Sequence, residues 1–197
     1  EQYMVASITN KGLTFILHAG RINFIDDYHE ILKRILIKLK SNKIFNVKLL
    51  LMDRYFESVK NFKLINSFGY KFLTPKKMTA EVRNMIRKSE GIDSQVFDYN
   101  LKSGKEEVKI KVTIVPDKKE DKKAFCSNFE INPIVAHHLF KTYSKRWTIE
   151  NQFKSLVSIM PKTTSINYYL RTFYFYFSIF LYNCWVLANL IFSLMYF

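Results

Sequence analysis

The chain has 197 residues, 48% of them hydrophobic and 16% aromatic, with a formal net charge of +14. That is enough apolar material for one substantial core with a small subdomain, and the positive balance points to a polyanionic partner, DNA, rather than an acidic surface of its own. Cys126 and Cys184 lie too far apart for zinc-site spacing, so a reduced, cytoplasmic protein is expected.

The first residues after Glu1 already read as the middle of a sheet, the pattern of a fragment or of a chain whose start is absent. Tyr3–Thr9 and Leu13–Ala19 alternate apolar and polar around Asn10-Lys11-Gly12, which predicts a hairpin. Asp26 or Asp27 caps a helix striped with Ile31, Leu32, Ile35, Leu36 and Leu39. The apolar run Val47–Met52 predicts a buried strand that exits at Asp53, followed by a helix over Glu57–Ser67, a stop at Gly69 and a strand over Tyr70–Thr74. From Lys60 to Lys88 eight basic residues stand against the single acid Glu81, and this stretch follows directly on Asp53.

After Pro75 the character changes. Thr79–Lys88 predicts a short helix, and Val96–Leu101 and Val108–Val115 predict an antiparallel pair turning at Lys102-Ser103-Gly104-Lys105. A charged loop over Pro116–Lys123 and a strand over Ala124–Phe129 follow, and Asn132-Pro133 opens a helix that runs on to Glu150. Phe173–Phe197 holds no charge and is long enough to cross a bilayer. Arg171, Ser178, Tyr182, Asn189 and Ser193 nevertheless share one face, so the expectation is a core helix with one polar edge wet, and no membrane.

Two motifs stand out. Asp53-Arg54-Tyr55-Phe56 places a carboxylate at a strand exit, where mixed sheets usually carry their chemistry. In Tyr143–Ser155, spacings of three and four put Tyr143, Arg146, Glu150 and Lys154 on one helical face, beside Trp147, Ile149 and Phe153. The plainer alternatives are a surface ion pair on that helix and a capping role for Asp53.

Together, and in this order, the motifs resemble the DDE transposases of the insertion-sequence group with a Tyr-Arg-Glu-Lys signature. That group has a strand ending in Asp-Arg-x-Phe, matched here by Asp53, Arg54 and Phe56, and later a helix matched by Tyr143, Arg146 and Glu150. The signature Lys falls at Val157, and Lys154, one turn earlier on the same face, is the candidate in its place.

The resemblance implies an α/β fold with a mixed sheet: a ribonuclease-H-like core with a β-rich insertion between the second and third carboxylates. The division would be residues 1–75 for the first part of the core, 76–131 for the insertion and 132–197 for the C-terminal helices. It implies metal-dependent cleavage and strand transfer at insertion-sequence ends by a homodimer on DNA. Asp53 and Glu150 would be catalytic and hold two Mg²⁺ or Mn²⁺ ions about 4 Å apart. Tyr143, Arg146, Lys154, Arg54, Lys71, Lys76 and Lys77 would contact DNA. The first family Asp has no counterpart, since Asp26 and Asp27 come after the hairpin, so the chain is expected not to cut DNA as it stands. The rival classes are a non-catalytic DNA-binding remnant and a small basic protein anchored in a membrane by Phe173–Phe197.

Overall fold

A computed structural model describes residues 2–10, 13–22, 27–42, 44, 46–89, 94–116 and 122–196. In chain order the elements are β1 (Gln2–Asn10), β2 (Leu13–Ile22), α1 (Tyr28–Ser41), β3 (Leu50–Leu51), a 3-10 turn (Arg54–Phe56), α2 (Val59–Phe68), β4 (Phe72–Pro75) and α3 (Ala80–Lys88). There follow β5 (Gln95–Ser103), β6 (Glu106–Pro116), β7 (Lys122–Ser127), a second 3-10 turn (Pro133–Val135), α4 (His137–Ser144), α5 (Trp147–Ile159) and α6 (Tyr168–Tyr196). They form two compact units, one of Asp27–Arg146 and one of Glu1–Asp26 with Trp147–Phe197. The expected turn residues Lys11 and Gly12, the alternative cap Asp26 and most of the loop after Pro116 lie outside the described residues.

The Asp27–Arg146 unit is built on a five-stranded mixed sheet in the order β3-β4-β7-β6-β5, parallel between β3 and β4 and antiparallel elsewhere. Strands β5 to β7, expected as an insertion, are hydrogen-bonded into the same sheet as β4. Strand alternation sorts the side chains to two faces. Phe72 of β4, Val108, Ile110, Val112 and Ile114 of β6, and Ala124 and Cys126 of β7 pack with Leu36 of α1, Phe62 and Ile65 of α2, and Val82 of α3. Their neighbours Leu73, Val115 and Phe125 pack the other way, against Ala136 and Tyr143. Phe62 and Phe72 stack at 4.3 Å between centroids. Burial also pushes the Cys126 thiol well above its ordinary range, which keeps it protonated and inert.

Local signals place the ends. The Asp27 carboxylate accepts from the His29 N–H at the start of α1. That bond holds the Asp27 carboxyl below its ordinary range. Thr79 caps α3, and Gly69 closes α2 at φ +78°, a conformation that favours glycine. Strand β3 is shorter than expected. Among the described residues it has a partner on one side only, and its ladder with β4 covers Leu50↔Phe72 and Leu51↔Leu73, extended by Met52 N–H to the Leu73 carbonyl at 3.1 Å.

In the other unit, the β1–β2 hairpin packs on α5 and α6 through Ile16, Ala19, Leu156, Phe175, Tyr182 and Val186. The expected facing of α6 holds only in part: Asn189 and Ser193 are exposed, but two of the expected wet residues are not. Ser178 and Tyr182 point inward, while Phe173, Phe177, Phe180, Trp185, Ile191 and Phe192 are exposed. The reason is the free edge of β2. The Asn183 side-chain amide donates to the Ile16 carbonyl at 2.9 Å and accepts from the Ile16 N–H at 3.0 Å, as a neighbouring strand would. Tyr182 and Gln152 both donate to the Thr14 carbonyl. Among the described residues, α6 is the one helix long and apolar enough to cross a membrane, with a mean hydropathy of 1.7 over its most apolar window.

The edge bonds yield a stability prediction. Asn183→Leu strands a donor and an acceptor on Ile16 and should cost about 1–3 kcal/mol. Asn189→Leu, whose amide only reaches back to the Trp185 carbonyl, should stay within about 0.5 kcal/mol. Urea unfolding followed by tryptophan fluorescence reads this unit, because Trp147 and Trp185 are the two tryptophans of the chain.

Candidate active site and nucleic-acid interface

Asp53 leaves β3 in extended conformation and folds its side chain back over the next turn. Its Oδ1 accepts from the Tyr55 N–H at 3.0 Å, and its carbonyl accepts from the Thr74 hydroxyl of β4 at 3.1 Å. The capping role is therefore real, but it serves the 3-10 turn Arg54–Phe56. Helix α2 has its own cap in Ser58. The other oxygen of Asp53 takes no part in the cap, and the side chain is 52% exposed.

That oxygen meets the second motif. Arg146 Nη1 lies 3.5 Å from Asp53 Oδ2, within the Asp27–Arg146 unit. Arg146 is placed by Tyr143, whose ring lies 5.5 Å from the guanidinium carbon and packs 5.4 Å from Phe125. Tyr143 was expected at the phosphates. It is instead 9% exposed, and its ring belongs to the apolar layer on the α4 side of the sheet. Its place is to hold Arg146 rather than to reach into solvent.

The single helix expected through Tyr143–Lys154 is two helices. Lys145 N–H bonds to the Thr142 carbonyl and Arg146 N–H to the Tyr143 carbonyl, an i→i−3 pattern that tightens the chain between α4 and α5. Tyr143 and Arg146 thus fall in one compact unit, and Glu150 and Lys154 in the other. Both of the latter are exposed on α5, with Glu150 in its first turn, where the helix dipole favours a carboxylate.

The expected DNA contacts divide. Arg54, Lys71 and Lys77 are exposed, Lys71 reaching over the Phe129 ring at 5.6 Å. Lys76 is a correction: it is 3% exposed, its ammonium paired with Glu57 and lying 4.9 Å from the Tyr99 ring centroid. Continuing the alternation of β4 from Phe72 through Thr74 explains this, since residue 76 falls on the same inward face. The signal was present in the sequence, and with it the missed residue, Glu57, whose Oε2 also accepts from the Lys77 N–H at 2.6 Å.

Beside this pair opens a cleft of about 830 Å³, lined among others by Glu57, Lys76, Lys77, Tyr99 and Lys102. The Tyr99 phenol is pushed up to about 12 by burial and by its hydrogen bond to Glu81. As to metals, Asp53 fits as one hard, anionic oxygen ligand of the kind Mg²⁺ takes. Among the described residues, no three His, Cys, Asp or Glu side chains come together. Asp53 is thus a suitable ligand without a complete cage around it.

The ion pair and the phenol each have a measurable consequence for stability. Lys76→Met leaves Glu57 buried and uncompensated and should cost about 3–5 kcal/mol, whereas Lys77→Met should stay within about 0.5 kcal/mol; urea midpoints compare them. Because the folded chain keeps the Tyr99 proton to about 12 while an unfolded tyrosine releases it near 10.0, stability should fall as pH rises between those values. Tyr99→Phe should flatten that fall in denaturation curves.

A family model described as the transposase DDE domain matches residues 11–161. Among solved structures, the chain is similar to a piggyBac transposase seen by cryo-EM in a synaptic complex with hairpin DNA. The TM-score is 0.60 at 10% sequence identity, over 94% of this chain and 43% of that one. None of the curated protein sequences matches.

Proposed function

The chain belongs to the transposase DDE domain family, and on that premise we propose that it processes DNA strands at the ends of an insertion sequence. The observation that carries the reading is the contact between Asp53 and Arg146. Two motifs far apart in sequence, each chosen for its chemistry, come together in one compact unit. The sheet is read as a ribonuclease-H-like core with β5–β7 as its addition between the carboxylates.

In this reading Asp53 and Glu150 are two of the catalytic carboxylates. Domains of this family generally use divalent metal ions. Mg²⁺ or Mn²⁺, proposed here as a pair with Asp53 among its ligands, would stabilise the charge that develops on the attacking and leaving oxygens. Arg146 offers a planar guanidinium to a DNA phosphate while keeping Asp53 aimed. Arg54 and Lys77 draw the backbone along the exit of the parallel strands, Lys71 does so at the start of β4, and Lys154 from α5. The proposed partners are transposon ends and target DNA, bound by a homodimer in the cytoplasm on the nucleoid. The rival membrane-anchored reading draws on the exposed apolar side of α6.

DNA binding measured by anisotropy across a salt series tests the interface. Lys71→Gln with Lys77→Gln should reduce the slope of log K against log salt by about 1.8, or 0.9 per lost phosphate contact. Nicking of supercoiled DNA with Mn²⁺ decides between this reading and the expectation, from the unmatched first family Asp, that the chain does not cut. The reading requires cleavage that is lost in Asp53→Asn and in Glu150→Gln while DNA affinity persists. Binding without metal-dependent cleavage would leave the DNA-binding remnant as the better reading. Flotation with lipid vesicles and no DNA affinity would overturn the proposal.

A further inference from the structure

The Glu57–Lys76 pair lines the open cleft, yet both side chains are almost sealed, at 2% and 1% exposure. Such a pair is a poor device for stability alone. Both ions lose their hydration, and apolar residues of similar volume often do as well or better in such positions. What the pair does uniquely is join strand exits. Glu57 directly follows the 3-10 turn that begins at Asp53, and its N–H bonds to the Arg54 carbonyl. Its two oxygens take the Lys76 ammonium and the Lys77 N–H, the first two residues beyond β4. Lys76 is fixed in turn by its N–H on the Ala124 carbonyl of β7 at 2.8 Å. Asn61 Nδ2 donates to the Phe56 carbonyl from α2 and closes the same turn from its other side.

Asp53 is thus held at both ends of a short turn. Thr74 binds its carbonyl, and four residues on Glu57 binds the chain after the same strand, β4. We propose that Glu57, clamped on Lys76 and Lys77, is a positioning residue that fixes the Asp53–Glu57 turn and thereby the direction in which the Asp53 carboxylate faces the DNA. The consequence for cleavage rests on the function proposed above; the clamp on the turn does not. A carboxylate that must act on a phosphate within a few tenths of an ångström gains from a turn that cannot rock.

The test uses the full chain, with Glu57→Met/Lys76→Met as a neutral, volume-conserving replacement and Glu57→Gln as a milder one. Amide exchange by NMR is read at Tyr55 and Phe56, whose N–H groups bond to Asp53, and at Phe62 and Ile65 in the core of α2. The expected result is exchange at Tyr55 and Phe56 at least ten-fold faster in the double variant, with Phe62 and Ile65 as slow as in the wild type. The same ratio should shift in the same direction, by less, in Glu57→Gln. In Mn²⁺-dependent nicking, kcat should fall with KM for DNA unchanged. An unchanged ratio of the two pairs of amides in either folded variant overturns the proposal, whatever the cleavage assay gives. A wild type that does not cut, or an Asp53→Asn variant that cuts normally, would instead sink the catalytic reading and leave the clamp to be decided by exchange.

Discussion

The Asp53 side of the proposed site hangs on a parallel strand pairing that is two residues long. The register of Leu50 with Phe72 and Leu51 with Leu73 brings the exits of β3 and β4 level. Asp53, Glu57, Lys76 and Lys77 all emerge there. A ladder that short carries little cohesion by itself, so its neighbours must supply the rigidity. β7 pins β4 along its other edge, the Thr74 hydroxyl crosses to the Asp53 carbonyl, and the buried carboxylate of Glu57 ties the two exits together. Residues at the carboxyl ends of such strands are free to do chemistry because the sheet behind them holds their backbone still.

Charge counted along the sequence overstates the local field. In the basic run after Asp53, Lys60 pairs with Asp27, Lys63 with Glu106 and Lys76 with Glu57. The first two pairs are exposed and weak, and competing phosphates would displace them readily. The third is sealed and removes one lysine from the surface altogether. The positive face is therefore narrower than the sequence count implies.

Much of the architecture was legible because local chemistry decided it. Gly69, Thr79 and Asp27 mark helix ends by backbone conformation and capping, and the β5–β6 hairpin turns where the alternation stops. Asp53 and Arg146 could be singled out because both motifs set a charge among residues that would otherwise be buried. Other features depended on partners that sequence periodicity does not name. Tyr143 looked like a contact residue until Phe125 supplied a ring for it to pack on. The break at Lys145-Arg146 has neither Pro nor Gly to announce it. The facing of α6 was misread because its polar residues were assumed to seek water. Tyr182 and Asn183 instead cover the edge of β2, whose backbone groups are costlier to leave unsatisfied than a phenylalanine is to expose.

The division into two units has a consequence for how the chain is made. The unit carrying Asp53 is continuous in sequence, and it can close as soon as β7 has left the ribosome and slotted between β4 and β6. The other unit is assembled from segments that flank the Asp53 unit in the sequence. Its hairpin precedes α5 and α6 in the chain, and a lone two-stranded hairpin is marginal in water. It must wait for both helices before Asn183 can cover Ile16. Until then the nascent chain carries an uncapped sheet edge, a standing invitation to pair with the wrong strand. A chaperone that shields the hairpin while the Asp53 unit is being made would protect this protein more than one acting on that unit.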